Sequence, residues 1–124
     1  MKIILANGTE LNPILVTGEK RTVHGMNRDT LRFVFPADAG MEALDAAFTP
    51  EACESITIED SESYIHKGYT IRAELKKEAV EVLAATPESE AVYEDRITVA
   101  MSQRTYMETQ LAEQKAILNT MLGG

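Results

Sequence analysis

A chain of 124 residues, 44% apolar and 26% charged, has the length of one domain and the composition of an ordinary water-soluble globule, which argues against a disordered or fibrous protein. Its formal net charge of −8 repels phosphate backbones, so nucleic-acid binding is disfavoured in the absence of a local basic stripe. The one cysteine, Cys53, leaves no intrachain disulfide and fits a reducing compartment. The apolar start at Met1 to Leu5 is interrupted by Asn7, Gly8 and Glu10 too soon for a signal peptide, and no stretch reaches membrane-spanning length.

In chain order, Asn7-Gly8 lies between Ile3-Ile4-Leu5 and the apolar residues from Leu11 to Val16, a strong hairpin signal. A two-residue turn there pairs Ala6 with Thr9 and Ile4 with Leu11. Pro13 has no N–H to give a ladder, which places its strand at an edge or a bulge. Gly18 ends this strand, Lys20 to His24 form a third, and Gly25 to Asp29 read as a polar loop. Leu31, Phe33 and Phe35 alternate with Arg32 and Val34 in a strand stopped by Pro36, with both phenylalanines in the core.

Gly40 to Phe48 reads as a short helix, with Met41, Leu44 and Phe48 on one face and Glu42 and Asp45 on the other. Asp38 is its expected N-cap and Thr49-Pro50 its stop. Ile56 and Ile58 mark another strand, followed by a turn at Asp60-Ser61-Glu62-Ser63. Tyr69, Ile71, Ala73 and Leu75 then face inward, and Thr70, Arg72 and Glu74 outward. Past Lys76-Lys77 the apolar phase shifts to Val80 and Val82, which implies a bulge or bend there. Thr86 to Ser89 is a loop and Val92 to Met101 the last strand.

From Gln103 to Leu122 the period becomes helical. Tyr106, Met107, Leu111, Ile117, Leu118, Met121 and Leu122 share one arc, with Glu108, Glu113, Lys115, Asn119 and Thr120 opposite. Thr105 with Glu108 matches a capping box, Ser102 is an equally good cap, and Gly123 is the expected C′ residue. With Leu111 and Leu118 at a positions, Met107, Gln114 and Met121 fall at d, and a polar seam residue such as Gln114 sets register or partner number. Two readings stay open for the face made by Tyr106, Met107, Leu111, Gln114, Leu118 and Met121: it buries against a second chain, or against the chain's own sheet. The fold class is α+β. Residues 1–101 form an antiparallel β-rich body, sandwich- or barrel-like, with one short helix near 40–48. Residues 102–124 form a long C-terminal amphipathic helix, in the same domain or as an oligomerisation element.

Few residues invite chemistry. His24 and His66 are the only histidines, and neither has a second metal ligand at motif spacing. A Cys53–His66 nucleophile pair matches no signature, and a small buried thiol is the ordinary reading of Cys53. Glu59-Asp60-Ser61-Glu62 lacks the glycine and the spacing of a calcium loop. There is no phosphate loop, dinucleotide fingerprint or nucleophile elbow. Tyr64, Tyr69, Tyr93 and Tyr106 fit core or rim better than a sugar-binding platform. Seven acids and no Lys or Arg lie between residues 41 and 63, a solvated surface or a docking face for a basic partner. The expectation is a protein with no catalytic residue, cofactor or metal.

The strings NGTELNPILVTG, NRDTLRFVFP, CESITIED with YIHKGYTIRAELKKE, and YEDRITVAMSQRTYMETQLAEQ cover nearly the whole chain. They resemble small uncharacterised proteins encoded among the tail and baseplate genes of tailed phages and prophages of Gram-positive gut bacteria. The resemblance implies a non-enzymatic structural or assembly role in a tail or baseplate, through contacts with further copies of itself or with other tail components. It implies a place in an assembled virion, beside the cytoplasm that the lone cysteine and the lack of a signal peptide suggest, and transfers no functional residue. The residues also admit an alternative: a soluble β-rich domain that grips a small ligand or glycan, with the helix packed on its own sheet.

Overall fold

Alternating apolar residues and tight turns fold the chain into two antiparallel four-stranded sheets that share one core. The computed structural model describes residues 1–105, 107, 108, 110 and 111. One sheet contains β1 (Lys2–Leu5), β2 (Glu10–Leu11), β5 (Ser55–Glu59) and β6 (Ser63–Lys67), in the order β2-β1-β5-β6. The other contains β3 (Leu15–Val23), β4 (Met26–Pro36), β7 (Ile71–Leu83) and β8 (Val92–Ser102), in the order β3-β4-β8-β7. Ile3, Leu5 and Ile56 from the first sheet pack with Leu31, Phe33, Phe35, Ile97, Val99 and Met101 from the second. The sequence expectation of an antiparallel β-rich body with one short helix is met.

That helix, α1 (Met41–Ala47), buries Leu44 and, at its C-terminal end, Phe48. The Phe48 ring lies 5.3 Å from Phe33 and 5.9 Å from Phe35, centroid to centroid, in tilted and edge-on contacts that suit aromatic quadrupoles. Its N-cap is Gly40, not Asp38, because residues 37–39 form a separate 3-10 turn that takes Asp38 out of capping position. The C-terminal carbonyls are met from another element. Arg72 Nη2 donates to the Asp45 and Phe48 carbonyls at 3.2 and 2.8 Å, and Nη1 to Asp45 Oδ1 at 2.9 Å. These bonds satisfy carbonyls that a helix end leaves orphaned.

Three turns differ from the sequence reading. The Asn7-Gly8 hairpin closes one residue earlier on its first strand: Leu5 N–H donates to the Thr9 carbonyl, and Ile3, not Ile4, pairs with Leu11. Gly8, at φ 88, ends a three-residue loop instead of sitting in a two-residue turn, and the slip brings Ile3 into the core. Neither Gly18 nor residues 25–29 interrupt the next hairpin. β3 and β4 pair without a break from Leu15↔Val34 to Val23↔Met26 around His24-Gly25, both at positive φ, as a tight hairpin turn requires. Finally, Ser63 to Lys67 is a strand where the sequence offered a turn followed by Tyr69.

The expected break at Lys76-Lys77 is absent, since β7 and β8 stay in register there. The bulges are at Ala73 and Val82. The first puts Arg72 opposite Met101 on the core side and Ile71 opposite Ser102 on the other, so Ile71 does not share a face with Leu75. Leu75, Lys77, Ala79 and Glu81 then keep one parity, and Val80 belongs to the outer face throughout.

The outer face of the second sheet is closed by charge. Thr30, Thr98, Ala100 and Ser102 are buried there, with a 2.7 Å hydrogen bond between the Thr30 and Ser102 hydroxyls. Arg21 on β3 reaches Glu74 on β7 at 3.3 Å, although these are opposite edges of the sheet. By ladder register a flat sheet would hold their backbones roughly 19 Å apart, beyond the reach of both side chains. The sheet therefore coils along this diagonal.

Gly25 and Gly18 give a contrast that tests this backbone. Gly25→Val forces a β-branched residue to φ 75 and is expected to lower stability by about 1–3 kcal/mol. Gly18 has ordinary φ and open space around its Cβ position, so Gly18→Val is expected to stay within about 0.5 kcal/mol of the parent in urea unfolding.

Candidate functional site

The interaction face expected at the C-terminus is described at two positions. Met107 and Leu111 are helical and exposed, by 67% and 54%, so neither is buried against the chain's own sheet. Tyr106, Gln114, Leu118 and Met121 lie outside the described residues, as does the rest of the helix expected up to Leu122. Its start is well built. Residues 103–105 belong to no strand or helix and are tied down: Gln103 N–H donates to the Asp29 carbonyl at 2.8 Å and Arg104 N–H to the Gly68 carbonyl at 2.9 Å. Thr105 and Glu108 form the expected capping box, with Thr105 N–H on Glu108 Oε1 at 2.9 Å and Glu108 N–H on Thr105 Oγ1 at 3.2 Å.

Glu108 also does something the sequence did not foreshadow. Its carboxylate takes the fork of Arg28, a side chain only 2% exposed, with Nη2 to Oε2 at 3.2 Å and Nη1 on Oε1. Arg28 is held in turn by the Val23 carbonyl at 2.9 Å and the Gln103 carbonyl at 3.3 Å. The guanidinium, with the Thr105 backbone N–H, lowers the Glu108 carboxyl pKa to about 2.

The residues weighed for chemistry lie apart. Cys53 is fully buried, and burial raises its thiol pKa to about 12 against the weaker pull of Arg72. No hydrogen bond among the described residues joins Cys53 to His66. His24 sits in the β3–β4 turn. In the Glu59–Glu62 run, Glu59 pairs with Lys2 at 3.5 Å and Glu62 accepts the Tyr64 hydroxyl. Among the described residues no three His, Cys, Asp or Glu side chains are grouped to hold a metal ion, and no helix is long and apolar enough to cross a membrane.

Two surface features stand out. The first is a two-stranded arm. β8 leaves β4 after the Pro36↔Arg96 pair and continues with β7 alone out to Leu83↔Val92. From Lys77 to Leu83 this ribbon runs about 20 Å at 3.3 Å per residue. Every residue from 77 to 90 and from 92 to 95 is exposed. On one side it is polar, with Tyr93 donating to Glu81 at 3.2 Å and Lys77 facing Asp95 at 3.9 Å. The other side carries Val80, Leu83 and Val92, exposed by 37%, 56% and 44%. Residues 78–95 hold six acids and no Lys or Arg. The second feature is a pair of adjoining clefts of about 360 and 320 Å³ between β3 and β6, which share Gly18, Leu31 and His66. Tyr69 stands edge-on to His66 at 5.8 Å, and Tyr64 lines the outer part.

Comparison with protein-family models, with curated proteins and with solved structures finds no match for the chain.

Two measurements follow from these groups. Because the Glu108 pKa is depressed on folding, its contribution is present above the unfolded value and is lost as the pH falls through the folded one. The protection factors of the Gln103 and Glu108 amides, relative to the unstructured rate at each pH, should therefore hold down to about pH 4 and fall between about pH 4 and pH 2. Glu108→Gln should give fast exchange at neutral pH. Cys53, raised and buried, should react with iodoacetamide at about pH 8 no faster than the chain unfolds.

Proposed function

We propose that this protein is a non-enzymatic structural or assembly component of a phage or prophage tail or baseplate, acting through protein–protein contacts. The observation that carries the reading is the β7–β8 arm. It spends a long strand pair outside the core and presents Val80, Leu83 and Val92 to solvent, ringed by carboxylates. A folded domain gains nothing in stability from apolar side chains held away from its body, whereas a partner surface can bury them. The amphipathic C-terminal stretch supplies a further contact in this reading, through Tyr106, Met107, Leu111, Gln114, Leu118 and Met121. The exposure of Met107 and Leu111 favours burial against another chain over burial on its own sheet.

The clefts beside His66 and Tyr69 favour a second reading, a ligand- or glycan-binding domain. Titration with soluble oligosaccharides, followed by tyrosine fluorescence, distinguishes it.

The arm reading predicts that Val80→Asp with Leu83→Asp costs no more than about 1 kcal/mol in urea unfolding, since both side chains are exposed and the new cross-strand repulsion is with Glu94 alone. The same pair of changes should lower incorporation into sedimented tail or baseplate particles by about tenfold or more. Incorporation at the parental level would remove the arm from the mechanism. In the same assay, Leu111→Asp and Leu118→Asp examine the C-terminal contact.

A further inference from the structure

The two sheets have four edge strands, and three are blunted against pairing with another chain. β2 is two residues long and is followed by Pro13. β3 carries Glu19, Lys20 and Arg21 in its middle, all in ion pairs. β7 has two bulges and Lys76-Lys77. β6 differs. It keeps unbroken register with β5 from Ser63↔Glu59 to Lys67↔Ser55, contains no proline or bulge, and exposes Tyr64 by 57% and Ile65 by 63%. An exposed, regular edge with Tyr64 and Ile65 at its centre is a template for strand addition.

The phase of the ladder fixes which backbone groups are offered. Gly68 N–H donates to the Glu54 carbonyl, and Asp60 N–H to the Glu62 carbonyl. Alternation between those two bonds makes Ile56–His66 and Ile58–Tyr64 the hydrogen-bonded pairs of the β5–β6 ladder. The N–H and C=O groups of Ser63, Ile65 and Lys67 therefore point away from β5. The Lys67 carbonyl agrees with this direction, since it accepts Gln103 Nε2 from outside at 3.1 Å.

We infer that β6 pairs antiparallel with β6 of a second copy of this chain, about a two-fold axis through Ile65. The register is self-complementary. Ile65 meets the partner's Ile65, and their outward backbone groups bond each other twice. Ser63 meets the partner's Lys67, whose N–H reaches the Ser63 carbonyl. This gives four backbone hydrogen bonds without disturbing Gln103 and six once its side chain yields the Lys67 carbonyl. On the cleft side, Tyr64 faces the partner's His66, an aromatic cross-strand pair that extends the His66–Tyr69 contact. Charge agrees as well. Arg32 and Lys67 are the described Lys and Arg side chains without an ion pair. The two-fold brings Lys67 beside the partner's acidic turn at Asp60 and Glu62. The product is one eight-stranded sheet across the dimer, closed by an isologous contact that does not propagate. This interface is separate from the arm and stands without it.

Sedimentation of the whole chain from about 10 μM to about 1 mM should show mass rising from one chain toward two. Ile65→Pro removes an outward N–H at an edge position where proline is tolerated, so the protein should keep its circular dichroism and stay at the mass of one chain. Lys67→Glu should weaken association about tenfold, and Lys67→Glu with Glu62→Lys should recover most of it. Amide exchange gives a signature that no other surface produces. The amides of Ile65 and Lys67, joined by that of Ser63 once Gln103 yields the Lys67 carbonyl, should slow as concentration rises, while those of Tyr64 and His66 are slow throughout. Single-chain mass at every concentration, a dimer that survives Ile65→Pro, or protection that does not alternate would each overturn the inference. If Val80→Asp, and not Ile65→Pro, removes the dimer, the contact belongs to the arm; this pairing then fails while the assembly reading stands.

Discussion

The pairing of β4 with β8 is the constraint from which the rest of the molecule hangs. From Thr30↔Ser102 to Pro36↔Arg96 it joins two strands that are covered on both faces for most of their shared length. On the core side, Phe33, Phe35, Ile97 and Val99 receive Phe48 and, through it, α1. On the other side, small residues lie under the Arg21–Glu74 bridge. Beyond Ser102 the same strand delivers Gln103 and Arg104 to the Asp29 and Gly68 carbonyls, and so positions the Thr105–Glu108 cap over Arg28. Before Arg96 it runs free as half of the arm. One ladder thus orients the core helix, the C-terminal stretch and the projecting ribbon.

How much of this could be read beforehand depends on where each residue's chemistry points. Leu31, Phe33 and Phe35, the Ile97–Met101 alternation and the Leu44–Phe48 spacing were legible because each lies on a face that is buried on one side and marks it with large apolar groups. The capping box was legible because its two side chains bond within one turn. His24-Gly25 is hard to read as a turn because it lacks the Asn-Gly or Asp-Gly pattern of a tight hairpin, and the polar residues after it look like a loop until the opposite strand is known. β6 was passed over for a related reason. An edge strand that exposes both faces shows no burial period, and Ser63, His66 and Lys67 are not strand-rich types.

The misplaced break at Lys76-Lys77 has the same origin. Side-chain parity reports a core only while there is a core to report, and past Lys76 the ribbon has left it. Val80 is apolar and outward with no change in the backbone's phase. The sequence did contain a pointer to the arm: six acids and no Lys or Arg from Glu78 to Asp95, flanked by Lys77 and Arg96, across what otherwise reads as strand, loop and strand. The apolar stripe from Tyr106 to Met121 is the more visible pattern in the sequence.

Charge is used in two ways on this surface. Most described cations are neutralised at home: Arg72 on α1, Arg28 on Glu108, Arg104 on Glu54. A surplus of carboxylates is left on the arm and on the β5–β6 turn.

The arm's distance from the core has a further consequence, for how such a protein can change over generations. Residues 78–90 and 92–95 are exposed, so their identities are free of the packing demands that bind Phe33 or Val99. In the assembly reading, substitutions there alter what the tip contacts with little effect on whether the chain folds. A lineage can therefore exchange one contact partner for another by drift at the tip while the two sheets stay the same, and the likeness between such descendants would persist in the body and fade along the ribbon.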